Sequence, residues 1–366
     1  MNETIAAGRL IFDPTRALPN ESFPDHEWLA AENRRIWHGD WLFATTEDAL
    51  PRPGDQLPVR IGDQPVLLLR NQAGRLAALS NLCAHRGTLL VEQPANAKRI
   101  QCPYHAWTYD DAGRLLGAPF APKGMIDEQA HRLAAYRVET WHGLVFVSLN
   151  PDVEPLTERF AAVEAHVSAL AIDELRHQAD RQTTDVWECN WKVAILNAME
   201  SYHLFKVHPN TLEPYTPTKG AYYITGSARA TATGGTYRGH DDYLLISLPP
   251  AFVGVFYRDS LVWLAVHPIG THRCTVRTGG AFASRQLSDV LRRVGESVRG
   301  YVGANGLLDF LSEDKAICER VQRGVSGDFV PGRLVPLERV VEDFGHYLNW
   351  KLNDVEPPAV HSEPSP

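Results

Sequence analysis

The chain has 366 residues, 44% of them hydrophobic and 22% charged, an ordinary globular composition that allows two domains and a sizeable core. Its formal net charge of −8 argues against a nucleic-acid or anionic-membrane surface. No stretch reaches the roughly 18 apolar residues of a membrane span, and residues 1–9 contain Glu3 and lack the apolar core of a secretory signal.

Along residues 1–40, Trp28, Leu29, Ile36 and Trp37 alternate with Glu27, Glu32 and Arg34. The pattern predicts a short amphipathic helix, an N-terminal arm packing on the C-terminal domain. From 41 to 150 the chain turns to short β-rich runs, at 57–61, 66–70, 76–79, 100–102, 107–109 and 144–149. Gly54-Asp55, Gly62-Asp63, Gly74 and the stretch 110–113 punctuate them, which predicts a small antiparallel sandwich or barrel. Pro151 and Pro155 mark a boundary, and Leu156, Phe160, Val163, Val167 and Leu170 then recur at helical spacing. Residues 151–355 mix β-rich runs (222–225, 253–256, 262–266, 275–277) with helical stretches near 190–208, 286–300 and 306–323. This predicts an α+β domain with helices packed on an antiparallel sheet. The tail 356–366 is polar and proline-rich, the composition of a disordered segment.

Five cysteines, an odd number in a long chain, argue against a disulfide framework and for a reducing, cytoplasmic setting. Two of them sit beside histidines. NLCAHRGTLL from Asn81 and QCPYHAWTYD from Gln101 give Cys83-x-His85, sixteen residues, then Cys102-x₂-His105. Each loop offers one thiolate and one imidazole, with Gly87 and Pro103 at the bends. A Rieske [2Fe–2S] cluster takes two cysteines on one iron and two histidines on the other. A structural zinc site is the rival, but classical fingers pair cysteine with cysteine and histidine with histidine along the chain. Cys189, Cys274 and Cys318 have no such partners in sequence and read as ordinary buried thiols.

CNWKVAILNAMESYHLFKVHP, from Cys189, contains Glu200-x-Tyr202-His203-x₄-His208, with Asn197 nearby. Two histidines and one carboxylate bind Fe(II) and leave adjacent positions open. Histidines five apart do not share a helix face, so the helix must end or distort between them, and Pro209 is placed to stop it. Glu200, three residues before His203, is expected one helical turn back on the same side. In GLLDFLSEDKAICERVQRG, Asp314 falls on an apolar stripe with Leu307, Phe310, Ile317 and Val321. Glu313 falls on the polar face with Asp309 and Arg320. A carboxylate on a buried face needs a partner, so Asp314 is assigned to the metal.

With these motifs in view, residues 20–350 resemble the α subunits of the Rieske non-haem iron oxygenases, the ring-hydroxylating oxygenase family. Glu313-Asp314 followed by Val321-Gln322 adds to the likeness. The resemblance implies an all-β Rieske domain, a helix-covered antiparallel-sheet catalytic domain, and mono- or dioxygenase chemistry. It implies a [2Fe–2S] cluster on Cys83, His85, Cys102 and His105 and a mononuclear Fe(II) on His203, His208 and Asp314, with Asn197 lining the iron pocket. It further implies an external reductase, a possible ferredoxin, and a homotrimer in which Glu200 links His105 of one chain to His203 of the next. Two departures stand out. Ala106 replaces the glycine common after the second cluster histidine. The bridging acid is Glu, as in the branch acting on carnitine and glycine betaine, where aromatic dihydroxylating members carry Asp. The implied reaction hydroxylates a small aromatic or quaternary-ammonium substrate with O₂, or dealkylates it when the hydroxyl lands beside N or O. The rival functions are a Rieske electron carrier, which leaves the second motif unexplained, and an inactive homologue. Tyr215, Tyr222, Tyr223, Tyr237, Tyr243, Phe252, Phe256, Tyr257 and Trp263 offer pocket walls or sheet core, and Arg229, Arg238 and Arg258 offer partners for a substrate carboxylate.

Overall fold

The computed structural model describes residues 11–122, 124–170, 172–179, 182–237, 241–257, 260–283 and 309–363. The chain divides into one unit of Trp37–Leu156 and another made of the residues before and after it.

In the first unit, β1 (Leu42–Thr46), β2 (Asp55–Ile61), β3 (Gln64–Arg70), β4 (Leu76–Ser80) and β5 (Ala95–Asn96) join β9 (Ala135–Trp141) and β10 (Leu144–Ser148). They form an antiparallel sheet of order β1-β10-β9-β4-β3-β2-β5. A second sheet holds β6 (Ile100–Gln101), β7 (Thr108–Tyr109) and β8 (Leu115–Gly117). The β2–β3 hairpin turns on Gly62-Asp63, where Gly62 has φ +58°, the left-handed region that glycine enters without penalty. The apolar runs read from sequence appear as strands. β1, β5, β8 and β9 do not stand out in the sequence. β9 owes its place to pairing on both sides, and its Arg137 and Glu139 satisfy each other at 2.5 Å.

The other unit begins with α1 (His26–Glu32), capped by Asp25, whose carboxylate accepts from the N–H groups of Glu27 and Trp28. The expected helix over 156–170 breaks at Phe160 (φ −108°, ψ 8°) into α2 (Leu156–Arg159) and α3 (Ala161–Ser168). A nine-stranded antiparallel sheet follows among the described residues. It comprises β11 (Leu175–His177), β12 (Thr183–Trp187), β13 (Tyr222–Gly226), β14 (Thr231–Tyr237), β15 (Asp241–Leu248), β16 (Phe252–Tyr257), β17 (Ser260–Pro268), β18 (Cys274–Ala283) and β19 (His361–Ser362). Among the described residues the unit also holds helices α4 (Trp191–Met199), α5 (Leu204–Val207), α6 (Asp309–Val325) and α7 (Arg339–Asn353). The helix expected near 286–300 lies outside the described residues, as do Arg238 and Arg258.

Tyr223, Tyr243, Phe252, Phe256 and Trp263 are buried in the sheet. Within the stretch read as disordered, His361–Ser362 form β19 at the edge of β13, where Ser362 pairs with Thr225 and His361 with Gly226. Thr225 Oγ1 donates to the His361 carbonyl at 3.1 Å, a side-chain anchor that composition does not reveal.

Helix α4 is fixed at its start. Asn190 caps it by accepting from the Lys192 N–H, and its amide donates to the carbonyls of Phe23 and Thr271, each at 2.9 Å. Lys192 and Glu32 meet at 2.6 Å in full burial, and Trp191 Nε1 donates to the same carboxylate at 2.7 Å. A buried charge pair with its remaining lone pairs used is tolerated, whereas one partner alone is costly.

Candidate metal centres

The first centre lies in the 37–156 unit. Cys83 follows β4, and Cys102 follows β6 directly. Both loops close in the same way. The cysteine N–H donates to a carbonyl five residues on (Cys83 to Thr88, 2.9 Å; Cys102 to Trp107, 2.8 Å). Its carbonyl accepts from the residue four on, Gly87 at 2.9 Å or Ala106 at 3.0 Å. Gly87 has φ +72° and Ala106 φ +56°, so the two occupy equivalent left-handed positions.

The fold pairs like with like. The Cys83 thiol is near enough to Cys102 to help lower its pKa, and the rings of His85 and His105 lie 4.9 Å apart. Burial pushes the Cys102 pKa up, but N–H groups of Tyr104 and His105 and the Cys83 thiol outweigh it and bring it down. Tyr109 accepts from the Ala84 N–H at 3.1 Å, leaving its hydroxyl proton for Cys83 Sγ at 3.3 Å. Burial and Cys83 push the Tyr109 pKa up, so the phenol keeps that proton. His85 stacks on Trp107 at 4.7 Å and His105 on Tyr104 at 3.7 Å. Two thiols at one end and two imidazoles at the other fit a two-iron, two-sulfide core, one residue type per iron.

The second centre joins α4, α5 and α6. The helix expected over 190–208 ends at Met199, and Glu200 is extended (φ −122°, ψ 161°). The break therefore precedes His203 instead of falling between the histidines. Glu200 is not one helical turn back, as the spacing suggested. It folds over the next turn, accepting from the N–H groups of Tyr202 and His203 and, at 2.6 Å, from His203 Nδ1. His203 and His208 flank the single turn of α5, which brings their rings to 5.1 Å.

His203 Nε2 lies 3.4 Å and His208 Nε2 2.9 Å from Asp314 Oδ1. Among the described residues, these three donors are the set that converges for a single ion, all within 4.8 Å of one another. Burial opposes charge on His203, but hydrogen bonds to Asp314 and Glu200 outweigh it and hold its pKa up at about 9. Burial likewise opposes charge on Asp314, but His203 and His208 bring its pKa down to about 2. Asn197 Nδ2 donates to Asp314 Oδ1 at 2.9 Å and lies 3.3 Å from His203 Nε2.

Glu313 departs from its expected place on the polar face. Its Oε2 accepts from His208 Nδ1 at 2.7 Å and from Thr211 Oγ1 at 2.6 Å. Each histidine thus has its Nδ1 held by a carboxylate and its Nε2 turned to Asp314, the arrangement that fixes a metal-binding tautomer. The buried face of α6 runs through Asp314, Cys318, Gln322 and Val325, while Val321, assigned to the apolar stripe, is 41% exposed. Leu307 lies outside the described residues.

Residues 40–141 match the Rieske [2Fe-2S] domain family, and residues 165–354 match the catalytic domain of the ring hydroxylating alpha subunit. The chain belongs to the ring-hydroxylating alpha-subunit family. Its two domains are those that carry a Rieske cluster and a mononuclear iron. One relative is the glycine betaine monooxygenase oxygenase subunit of Chromohalobacter salexigens, 33% identical over 54% of this chain and 44% of that protein. Another is the anthranilate 1,2-dioxygenase large subunit of Burkholderia cepacia, 32% identical over 54% of this chain and 48% of that one. The chain spans about half the length of the curated relatives it matches. The quaternary ammonium Rieske monooxygenase CntA with L-carnitine shares the fold at TM-score 0.79 and 20% identity, covering 93% of this chain and 97% of that one. Naphthalene 1,2-dioxygenase with indole does so at TM-score 0.78 and 19% identity, covering 96% and 94%. Among the described residues, no helix is long and apolar enough to cross a membrane.

Proposed function

We propose that the chain is the terminal oxygenase component of a Rieske system, a mono- or dioxygenase that hydroxylates or dealkylates a small organic substrate. Convergence of His203 Nε2, His208 Nε2 and Asp314 Oδ1, with both Nδ1 positions braced, is the observation that carries this reading. In it, Cys83, His85, Cys102 and His105 hold the cluster, and His203, His208 and Asp314 hold Fe(II). Iron held there supplies the activation of O₂. The protein's own part is to keep three donors on one side, so that the opposite positions stay open, and to fix both imidazoles as neutral Nδ1–H tautomers. Glu200 is the proposed link for electron transfer, from His105 of a neighbouring chain in a homotrimer to His203. A reductase, directly or through a ferredoxin, delivers the electrons.

We assign the substrate to the quaternary ammonium class. Tyr257 lies 5.4 Å from Tyr237 and 6.1 Å from Tyr243, ring to ring, and Tyr243 reaches Ser201, next to Glu200, at 3.5 Å. Tyrosine faces attract a trimethylammonium group, and the glycine betaine monooxygenase relative bears that chemistry in its name. The test is O₂ consumption by the iron-loaded protein with a surrogate reductase, comparing betaines with aromatic acids. Product formed from a betaine and abolished by His208→Ala supports the proposal. Turnover of aromatic acids alone would move the substrate class. No turnover by any candidate, with both sites loaded and the cluster reducible, would favour an electron carrier.

A further inference from the structure

Resting on the iron-site reading above, one buried thiol acquires a role. Cys318 lies on α6 four residues after Asp314, hence on the same face, and is 1% exposed. Its Sγ is 3.2 Å from Asn197 Oδ1 and 3.9 Å from the Val193 carbonyl, both on α4. Contact with Cys189 and burial push the Cys318 pKa up, so the thiol keeps its proton. An amide oxygen accepts that proton better than a neighbouring sulfur does. On its other side, the Asn197 amide places Nδ2 2.9 Å from Asp314 Oδ1, the oxygen that faces both histidines.

We propose that Cys318 is a positioning residue for the mononuclear iron site: its thiol holds the Asn197 amide in the one orientation that donates to the metal-facing oxygen of Asp314. The reverse orientation sets an amide oxygen against a carboxylate oxygen, a repulsive contact in a place shielded from water, and leaves the NH₂ group only the weak acceptor sulfur of Cys318. With the amide fixed, Asp314 Oδ1 is kept turned between His203 and His208. Without the thiol, the amide is held from the Asp314 side alone, and the brace on Asp314 is weaker. Outer partners of this kind typically change metal affinity about 10- to 100-fold.

The experiment measures Fe(II) affinity of the full, cluster-containing chain under anaerobic conditions by competition with a chromophoric chelator. Cys318→Ala should weaken binding roughly tenfold, and Cys318→Val, which keeps the volume without a donor, should do the same and carries the test if Cys318→Ala does not fold. Cys318→Ser, which still donates, should bind as the parent does. Cys318→Ala should cost nothing further in an Asn197→Ala background, because the effect runs through that amide. Equal weakening in both backgrounds, or no rescue by serine, overturns the role. His208→Ala separates the two proposals. Unchanged Fe(II) affinity in His208→Ala removes the iron site itself, whereas loss there beside unaffected Cys318 variants removes only the role of Cys318.

Discussion

Ala106 sits where its counterpart loop has Gly87, at φ +56° in a turn closed by the same pair of hydrogen bonds. A side chain in that conformation costs about 1–2 kcal/mol, and glycine's extra chain freedom costs about 0.5–1 kcal/mol. Ala106→Gly should therefore stabilise the cluster unit by a fraction of a kcal/mol and raise the temperature at which the cluster bleaches by a few degrees. An unchanged or lower bleaching temperature would show that the strain is relieved elsewhere. With Cys83 as the proposed cluster ligand, Tyr109 bears on the same centre from the other side. Its hydroxyl points at Cys83 Sγ, and hydrogen bonds to cluster sulfur raise the potential by stabilising the more negative reduced state. Tyr109→Phe should lower the midpoint potential in redox titration while leaving iron and sulfide content intact.

At the scale of elements, helix α6 shows what periodicity cannot see. Periodicity placed Asp314 on an inner stripe with Phe310, Ile317 and Val321, while the structure buries Asp314 together with Cys318 and Gln322. Those side chains are inside because each has a polar partner: Asp314 has the histidines, Cys318 has Asn197, and Gln322 accepts from the Asn190 N–H at 2.6 Å. Asp314 was legible because a carboxylate at its position demanded a counter-group. Glu313 was not, since neighbours on a helix differ by only about 100° and both can flank one imidazole ring. Glu313→Ala should weaken Fe(II) binding by about 10- to 100-fold in the chelator assay. Parent-like affinity would return Glu313 to the surface. Proton competition gives the element a pH signature. His203 has its pKa raised from 6.5 to about 9 in the folded, metal-free site. Its stabilising contribution is full below 6.5 and is lost as pH rises through 9. Fe(II) must displace that proton, so affinity should rise about tenfold per pH unit and level off near 9. A flat profile would show that His203 is already neutral.

For the whole molecule, the order of domains was readable because each announced itself by a different motif. The proposed cluster ligands fall within Trp37–Leu156, and the histidine–carboxylate triad falls in the other unit. Cys83→Ser should then abolish visible absorption yet spare Fe(II) binding, and His208→Ala should do the reverse. Under the proposed trimeric pathway, mixing and exchanging those two inactive variants should recover activity, since a cluster from one chain serves the iron of the next. No recovery in demonstrably mixed trimers would remove the intersubunit route. The last strand has a practical meaning that reaches past catalysis. Residues 356–366 invite removal by their proline-rich composition, but β19 covers the outer rim of β13. Trimming them would leave unpaired peptide groups along β13, a template onto which other chains add. The expected result is a protein that keeps its metals yet scatters light on concentration, so an expression tag should be added without removing His361 and Ser362.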